Sequence, residues 1–183
     1  AGGVECREGF YIHCRKTWRA VREAIDKSNC KEVVFTGHSL GGISSLIQAQ
    51  LAYETFPRLQ NAIRIVNFGS PRGLSAKSAK RISSNFKGKI SRFVNAGDMV
   101  SSIPSSLLWR HTLGLCYLSK NKITRSENNK INSFFYSVFN LLRGLATFAK
   151  KHDMMAYSKK LNGADVYSKK PPFNPSKGFK VVK

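Results

Sequence analysis

Ser39 stands between two glycines in Thr36-Gly37-His38-Ser39-Leu40-Gly41-Gly42. A serine hydroxyl is a weak nucleophile at neutral pH and attacks only when a base takes its proton. The G-x-S-x-G spacing answers that need: it is the nucleophile elbow, a sharp strained turn that lifts the serine clear of its neighbours. On this reading the residues two positions either side, Gly37 and Gly41, have to be small. A helix that begins at the turn aims backbone N–H groups and its positive dipole end at a developing oxyanion. An acid and a base must follow, because in this arrangement the chain order is nucleophile, acid, histidine. The acids between Ser39 and the last histidine are Glu54, Asp98 and Glu127. Glu54 falls roughly 20 Å down the helix leaving the elbow, at 1.5 Å per residue. Glu127 sits in a polar run, Lys120 to Asn129. Asp98 remains. For the base, His13 precedes the elbow, and His38 belongs to it but is expected to point elsewhere. His111 and His152 stay open on order alone.

The elements around these residues are consistent with the assignment. Val33-Val34-Phe35-Thr36, within a strand expected from Lys31 to Gly37, runs into the elbow. An amphipathic helix from Ile43 to Phe56 leaves it and is closed by Pro57. Trp18, Val21 and Ile25 give a helical period from about Thr17 to Ser28. Residues 62 to 68 read as a buried strand ended by Gly69-Ser70-Pro71, a basic helix follows from Ser75 to Asn85, and Lys89 to Asn95 forms the next strand. Strand, helix, strand, helix, strand predicts a parallel sheet with crossover helices. Asp98 then lies just past a strand's carboxyl end, where functional groups gather in open α/β sheets.

The chain's bulk properties narrow the function classes. At 183 residues and 42% hydrophobic composition it is long enough for a single domain with a real core. No run of eighteen apolar residues occurs, and no basic region followed by an apolar core opens the chain, so neither a membrane-spanning helix nor a signal peptide is expected. A cytoplasmic or membrane-peripheral location is the expectation. Lys and Arg number 31 against 10 Asp and Glu, a formal charge of +21, which favours anionic partners: a lipid surface, or nucleic acid. Cys6, Cys14, Cys30 and Cys116 lack C-x-x-C spacing and read as free thiols, with a bridge or two compatible with export. Residues 1–165 are read as the folded domain and 166–183 as a basic, irregular tail.

Five blocks together resemble the class 3 (fungal-type) lipases of the α/β-hydrolase superfamily: Glu8-Gly9-Phe10-Tyr11; the elbow; Val66 to Arg72; Asn95 to Pro104 (Asn-Ala-Gly-Asp-Met-Val-Ser-Ser-Ile-Pro); and His152-Asp153-Met154-Met155-Ala156-Tyr157. They fall in the family's order over residues 8 to 161. The resemblance implies an α/β-hydrolase-like fold, Ser39 as nucleophile, Asp98 as acid, His152 as base, and the N–H of Leu40 as an oxyanion donor. It places His111 at a recurrent position that is not the base. It implies a triacylglycerol or phospholipid ester as substrate and no metal or organic cofactor. The residue types then give the mechanism: His152 deprotonates Ser39, Asp98 holds the imidazole, and an acyl-enzyme forms and is hydrolysed.

One departure stands out. The family draws a second oxyanion donor, Ser or Thr, from a strand upstream of the Gly-Phe entry. Ala1 to Glu8 contain no hydroxyl, and the earlier strands and the usual lid region have no counterpart. The sequence is therefore expected to be N-terminally truncated or a reduced family member. Phe134 to Leu145 is read as a core or cap helix, with an interfacial helix as the alternative. Two functions from different classes follow: a serine hydrolase acting on lipid esters, or a non-catalytic basic domain on anionic membrane or nucleic acid.

Overall fold

The computed structural model describes residues 3–104, 107–119, 122–126 and 148–163. A five-stranded sheet in the order β1-β2-β3-β4-β5 organises it. The strands are β1 (Val33–His38), β2 (Ile63–Phe68), β3 (Ile90–Asn95), β4 (Leu115–Leu118) and β5 (Ile123–Ser126). The first four run parallel and β5 turns back antiparallel on β4. This is the mostly parallel sheet that the sequence predicts, with β4 and β5 added. In-register pairs such as Gly37 with Asn67 and Phe68 with Phe93 bring the carboxyl ends of β1, β2 and β3 side by side.

The helices are α1 (Glu8–Ser28), α2 (Leu40–Thr55), α3 (Ala76–Asn85), α4 (Phe148–His152) and α5 (Met154–Gly163). Helix α1 starts nine residues before the expected Thr17. Gly9 and the aromatic and β-branched residues after it are weak helix formers. Yet Phe10 and Cys14 continue the spacing of Trp18, Val21 and Ile25, and all five pack into one core cluster. Packing overrides propensity. Helix α2 also departs from expectation: rather than one apolar stripe, it buries nine residues, including Ile43, Leu46, Ile47, Ala49 and Ala52. The cause is its position between the sheet on one side and α1 on the other. Ser75 caps α3, its hydroxyl accepting from the Ser78 N–H at 3.1 Å. Ile63 and Ile65 from β2 are fully buried in the same core. Truncating either to alanine would cost about 2–5 kcal/mol.

The helix read over Phe134 to Leu145, Glu127, and the tail 166–183 lie outside the described residues. All four cysteines are free.

Candidate active site

Ser39 joins β1 to α2 with φ 56° and ψ −123°. A non-glycine residue in that region stores about 1–3 kcal/mol of strain, which the surroundings must hold in place. They do so through the backbone: Ser39 N–H donates to the Phe68 carbonyl at 3.0 Å, and the Ser39 carbonyl accepts from Gly42 N–H at 2.9 Å. A Cβ at Gly37 would lie 2.1 Å from the Gly41 carbonyl oxygen, so glycine is obligatory there. Gly41 differs from expectation: a Cβ there meets nothing within 4 Å, whereas one at Gly42 would lie 2.8 Å from the Ser70 Cβ. The tight approach is one residue further along because α2 turns its Gly42 side toward the end of β2. Leu40 opens α2, so its N–H belongs to the first-turn amides that lack an intrahelical acceptor.

Asp98 is completely buried just past β3. Its Oδ1 and Oδ2 lie 3.1 and 3.0 Å from Nδ1 of His152, which closes α4. The sequence left two histidines open; the structure brings His152 to Asp98. Asp98 Oδ1 also accepts from the Val100 N–H at 2.9 Å, and Oδ2 accepts from the Tyr157 hydroxyl. That hydroxyl in turn accepts from the Asn95 N–H at 3.1 Å. Burial, followed by the Asp98 charge, pushes the Tyr157 phenol well above its ordinary pKa of 10, so it stays protonated and donating.

His38, read from the sequence as pointing away from the nucleophile, reaches the backbone of His152. Its Nε2 is 2.6 Å from the His152 carbonyl oxygen, and the two rings sit 4.5 Å apart. A carbonyl only accepts, so His38 Nε2 carries the proton. Gly69, with φ +56°, completes the cradle. A Cβ there would lie 2.7 Å from Asp98 Oδ2 and 3.0 Å from both Cε1 and Nδ1 of His152.

His111 has a different task. It is half-buried, and its Nε2 donates to the Ser101 carbonyl at 2.7 Å, bracing the turn that carries Asp98. Burial first, then the charges of Arg92 and Arg72, hold its pKa well below 6.5. Arg72 donates to the carbonyls of Ser102 and Pro104 and ties down the same loop. Arg92 is buried on β3, its pKa lowered to about 10 by burial and by Arg72. Glu54, set aside in the sequence reading, is occupied elsewhere, with Gln50 and Arg81. Among the described residues, no three His, Cys, Asp or Glu side chains group closely enough to hold a metal ion.

Tyr157, Asn95 and Gly69 were not singled out from the sequence, although all three lie within the blocks that carry the family resemblance. Their spacing signals nothing by itself. Only the fold shows that they converge.

A mostly parallel sheet, a strained serine between β1 and α2, and an Asp–His pair past the carboxyl end of β3 define an α/β-hydrolase fold. The family model for Lipase (class 3) matches residues 3–108, more than half of the chain, and the protein belongs to that family. It is similar to a protein of Gibberella zeae named secreted mono- and diacylglycerol lipase 3, with 29% identity over 100 residues, 55% of this chain and 32% of that one. It superposes on lipase II from Rhizopus niveus with a TM-score of 0.61, at 24% identity, covering 76% of this chain and 57% of the other. A triacylglycerol lipase whose catalytic centre is described as a serine protease triad gives a TM-score of 0.63 at 21% identity, covering 81% and 60%. These two structural likenesses show the fold. The chain thus spans about a third of the Gibberella relative and just over half of the Rhizopus lipase. No described helix is long and apolar enough to cross a membrane. The Gibberella relative is named as secreted, which gives no support to the cytoplasmic placement expected from the sequence.

Proposed function

We propose that the protein hydrolyses carboxylic esters of lipids, with Ser39 as nucleophile, His152 as general base and Asp98 as the acid that orients it. The observation that carries this reading is the pairing of buried Asp98 with half-buried His152, with Nδ1 3.0 Å from Oδ2, packed against the ring of the residue preceding strained Ser39. With Nδ1 occupied by the carboxylate, Nε2 of His152 is the nitrogen left to take the serine proton. Ser39 then attacks the ester carbonyl, and the Leu40 N–H serves as one donor to the tetrahedral oxyanion. His152 returns the proton to the departing alcohol and next activates water against the acyl-enzyme. The names of the relatives, which act on mono-, di- or triacylglycerols, favour a glycerolipid ester. Exposed Leu40, Met154 and Met155 beside Ser39 and His152 give a lipid an apolar surface to meet.

The +21 charge favours an anionic lipid surface as the place of work. It also favours the second reading, a non-catalytic domain on anionic membrane or nucleic acid. Labelling with a fluorophosphonate probe separates the two. Labelling of the folded chain that vanishes in both Ser39→Ala and His152→Ala is expected. A folded chain that stays unlabelled, or a Ser39→Ala variant that labels as before, overturns the assignment.

A further inference from the structure

Asn95 closes β3, and its carboxamide meets the backbone of one lysine and the ammonium of another, on separate helices. Its Nδ2 donates to the Lys151 carbonyl at 3.0 Å, while its Oδ1 accepts from the ammonium of Lys160. Lys160 also donates to the Leu118 carbonyl at 3.2 Å, at the end of β4. The Lys151 side chain lies over Gly97. A Cβ at that glycine would sit 2.7 Å from Lys151 Cδ and 2.8 Å from its Nζ. Gly97 therefore does two things: with φ +85° it makes the turn into Asp98, and its missing side chain leaves room for the lysine. Both ammonium groups are half-buried at the carboxyl ends of β3 and β4, the sheet edge that also carries Asp98.

Neither lysine takes part in an ion pair among the described residues. Burial, and then the Lys151 charge, lowers the Lys160 pKa. Two like charges brought together in a partly desolvated setting oppose folding. An anion between them removes that opposition and adds charge-assisted hydrogen bonds. Asp153, the acid nearest in sequence, is exposed and accepts instead from the Met155 N–H. Gly97 leaves room for the Lys151 side chain and Asn95 holds the Lys160 ammonium, so both charges stand beside Asp98 and His152.

We propose that Lys151 and Lys160 bind the phosphate of a glycerophospholipid headgroup, which makes anionic phospholipid the preferred ester. This rests on the reading of Asp98 and His152 as acid and base of ester hydrolysis. The bond broken is the carboxylic ester; the phosphate is held and stays intact.

The test compares phosphatidylglycerol with diacylglycerol of the same acyl chains, in mixed micelles with a non-ionic detergent. The readout is the ratio of their kcat/KM values for the full chain and for Lys151→Gln, Lys151→Arg and Lys150→Gln. Lys151→Gln is expected to lower the phospholipid-to-diacylglycerol ratio about tenfold, the worth of a charge-assisted hydrogen bond. Lys151→Arg should keep the ratio. Lys150→Gln, which removes a charge from an exposed neighbour, should also keep it. Glycerol 3-phosphate should compete with phosphatidylglycerol and leave diacylglycerol turnover alone. An unchanged ratio in Lys151→Gln overturns the proposal. An equal fall in Lys150→Gln overturns it too, by showing general attraction to a basic surface. If the folded chain hydrolyses no ester, p-nitrophenyl butyrate included, the catalytic reading has failed by itself. Co-sedimentation of the same variants with phosphatidylglycerol–phosphatidylcholine vesicles then decides the subsite. Loss specific to Lys151→Gln supports it, and retention overturns it.

Discussion

Nε2 of His38 donates to the carbonyl oxygen of His152 across 114 residues of sequence, at 2.6 Å. The residue before the candidate nucleophile thereby fixes the backbone of the candidate base. The two rings, 4.5 Å apart, fix its plane as well. One histidine acts on the other without touching the reacting atoms.

His38→Ala removes both restraints while leaving Ser39, Asp98 and His152 in the chain. Small misplacements of a base are costly, because proton transfer needs hydrogen-bond distance. The expected result is a fall in kcat/KM of about 10- to 100-fold for a soluble ester, carried by kcat with KM nearly unchanged. A fall confined to KM would show that His38 serves binding instead.

Gly69→Ala and Gly41→Ala should differ sharply. At Gly69 the new methyl would press on Asp98 Oδ2 and on the His152 ring, at a backbone φ of +56°. Loss of about 1–3 kcal/mol of stability is expected, with a larger loss of activity. At Gly41 the methyl meets nothing within 4 Å, inside a helix where alanine is preferred. Stability there should hold or rise by up to about 1 kcal/mol. Urea unfolding of both variants checks the contrast.

The contrast also marks how far the sequence was legible. The G-x-S-x-G spacing points to the turn between β1 and α2, and chain order with elimination points to Asp98 as the candidate acid, because both follow from positions along a line. Which glycine is sterically required depends on the neighbouring strand: Gly42 faces Ser70, a contact that no local pattern encodes. The same holds for His38, whose sequence position says nothing of where its ring goes. β4 escaped notice because Leu115-Cys116-Tyr117-Leu118 is only four residues long and buried throughout, so it shows no alternation. The first half of α1 escaped because its residues favour other conformations until the core claims Phe10 and Cys14.

His111 should make the fold acid-sensitive. Its folded pKa lies well below 6.5, so the folded chain holds it neutral while the unfolded chain protonates near 6.5. The unfolded state binds more protons as pH falls, and stability present above pH 6.5 is lost below it. The contribution to the slope approaches about 1.4 kcal/mol per pH unit. Unfolding free energies between pH 7.5 and 5 should fall less steeply in His111→Gln than in the parent. Parallel curves would assign the acid sensitivity to other groups.

Ser39 offers a test of strain that is independent of any substrate. Ser39→Ala and Ser39→Gly both delete the hydroxyl, yet only glycine relieves a φ of 56° with a ψ of −123°. Relief of strain is worth about 1–3 kcal/mol. Against it stands the extra freedom glycine gives the unfolded chain, about 0.4–1 kcal/mol relative to alanine. Ser39→Gly should therefore be more stable than Ser39→Ala by about 1 kcal/mol, although both lose activity. That ordering would mean the elbow is held in its conformation by the Phe68 and Gly42 backbone bonds at the expense of stability, as expected where geometry serves a reaction. The reverse ordering would mean that the turn relaxes in solution and that the serine is not held in the conformation described.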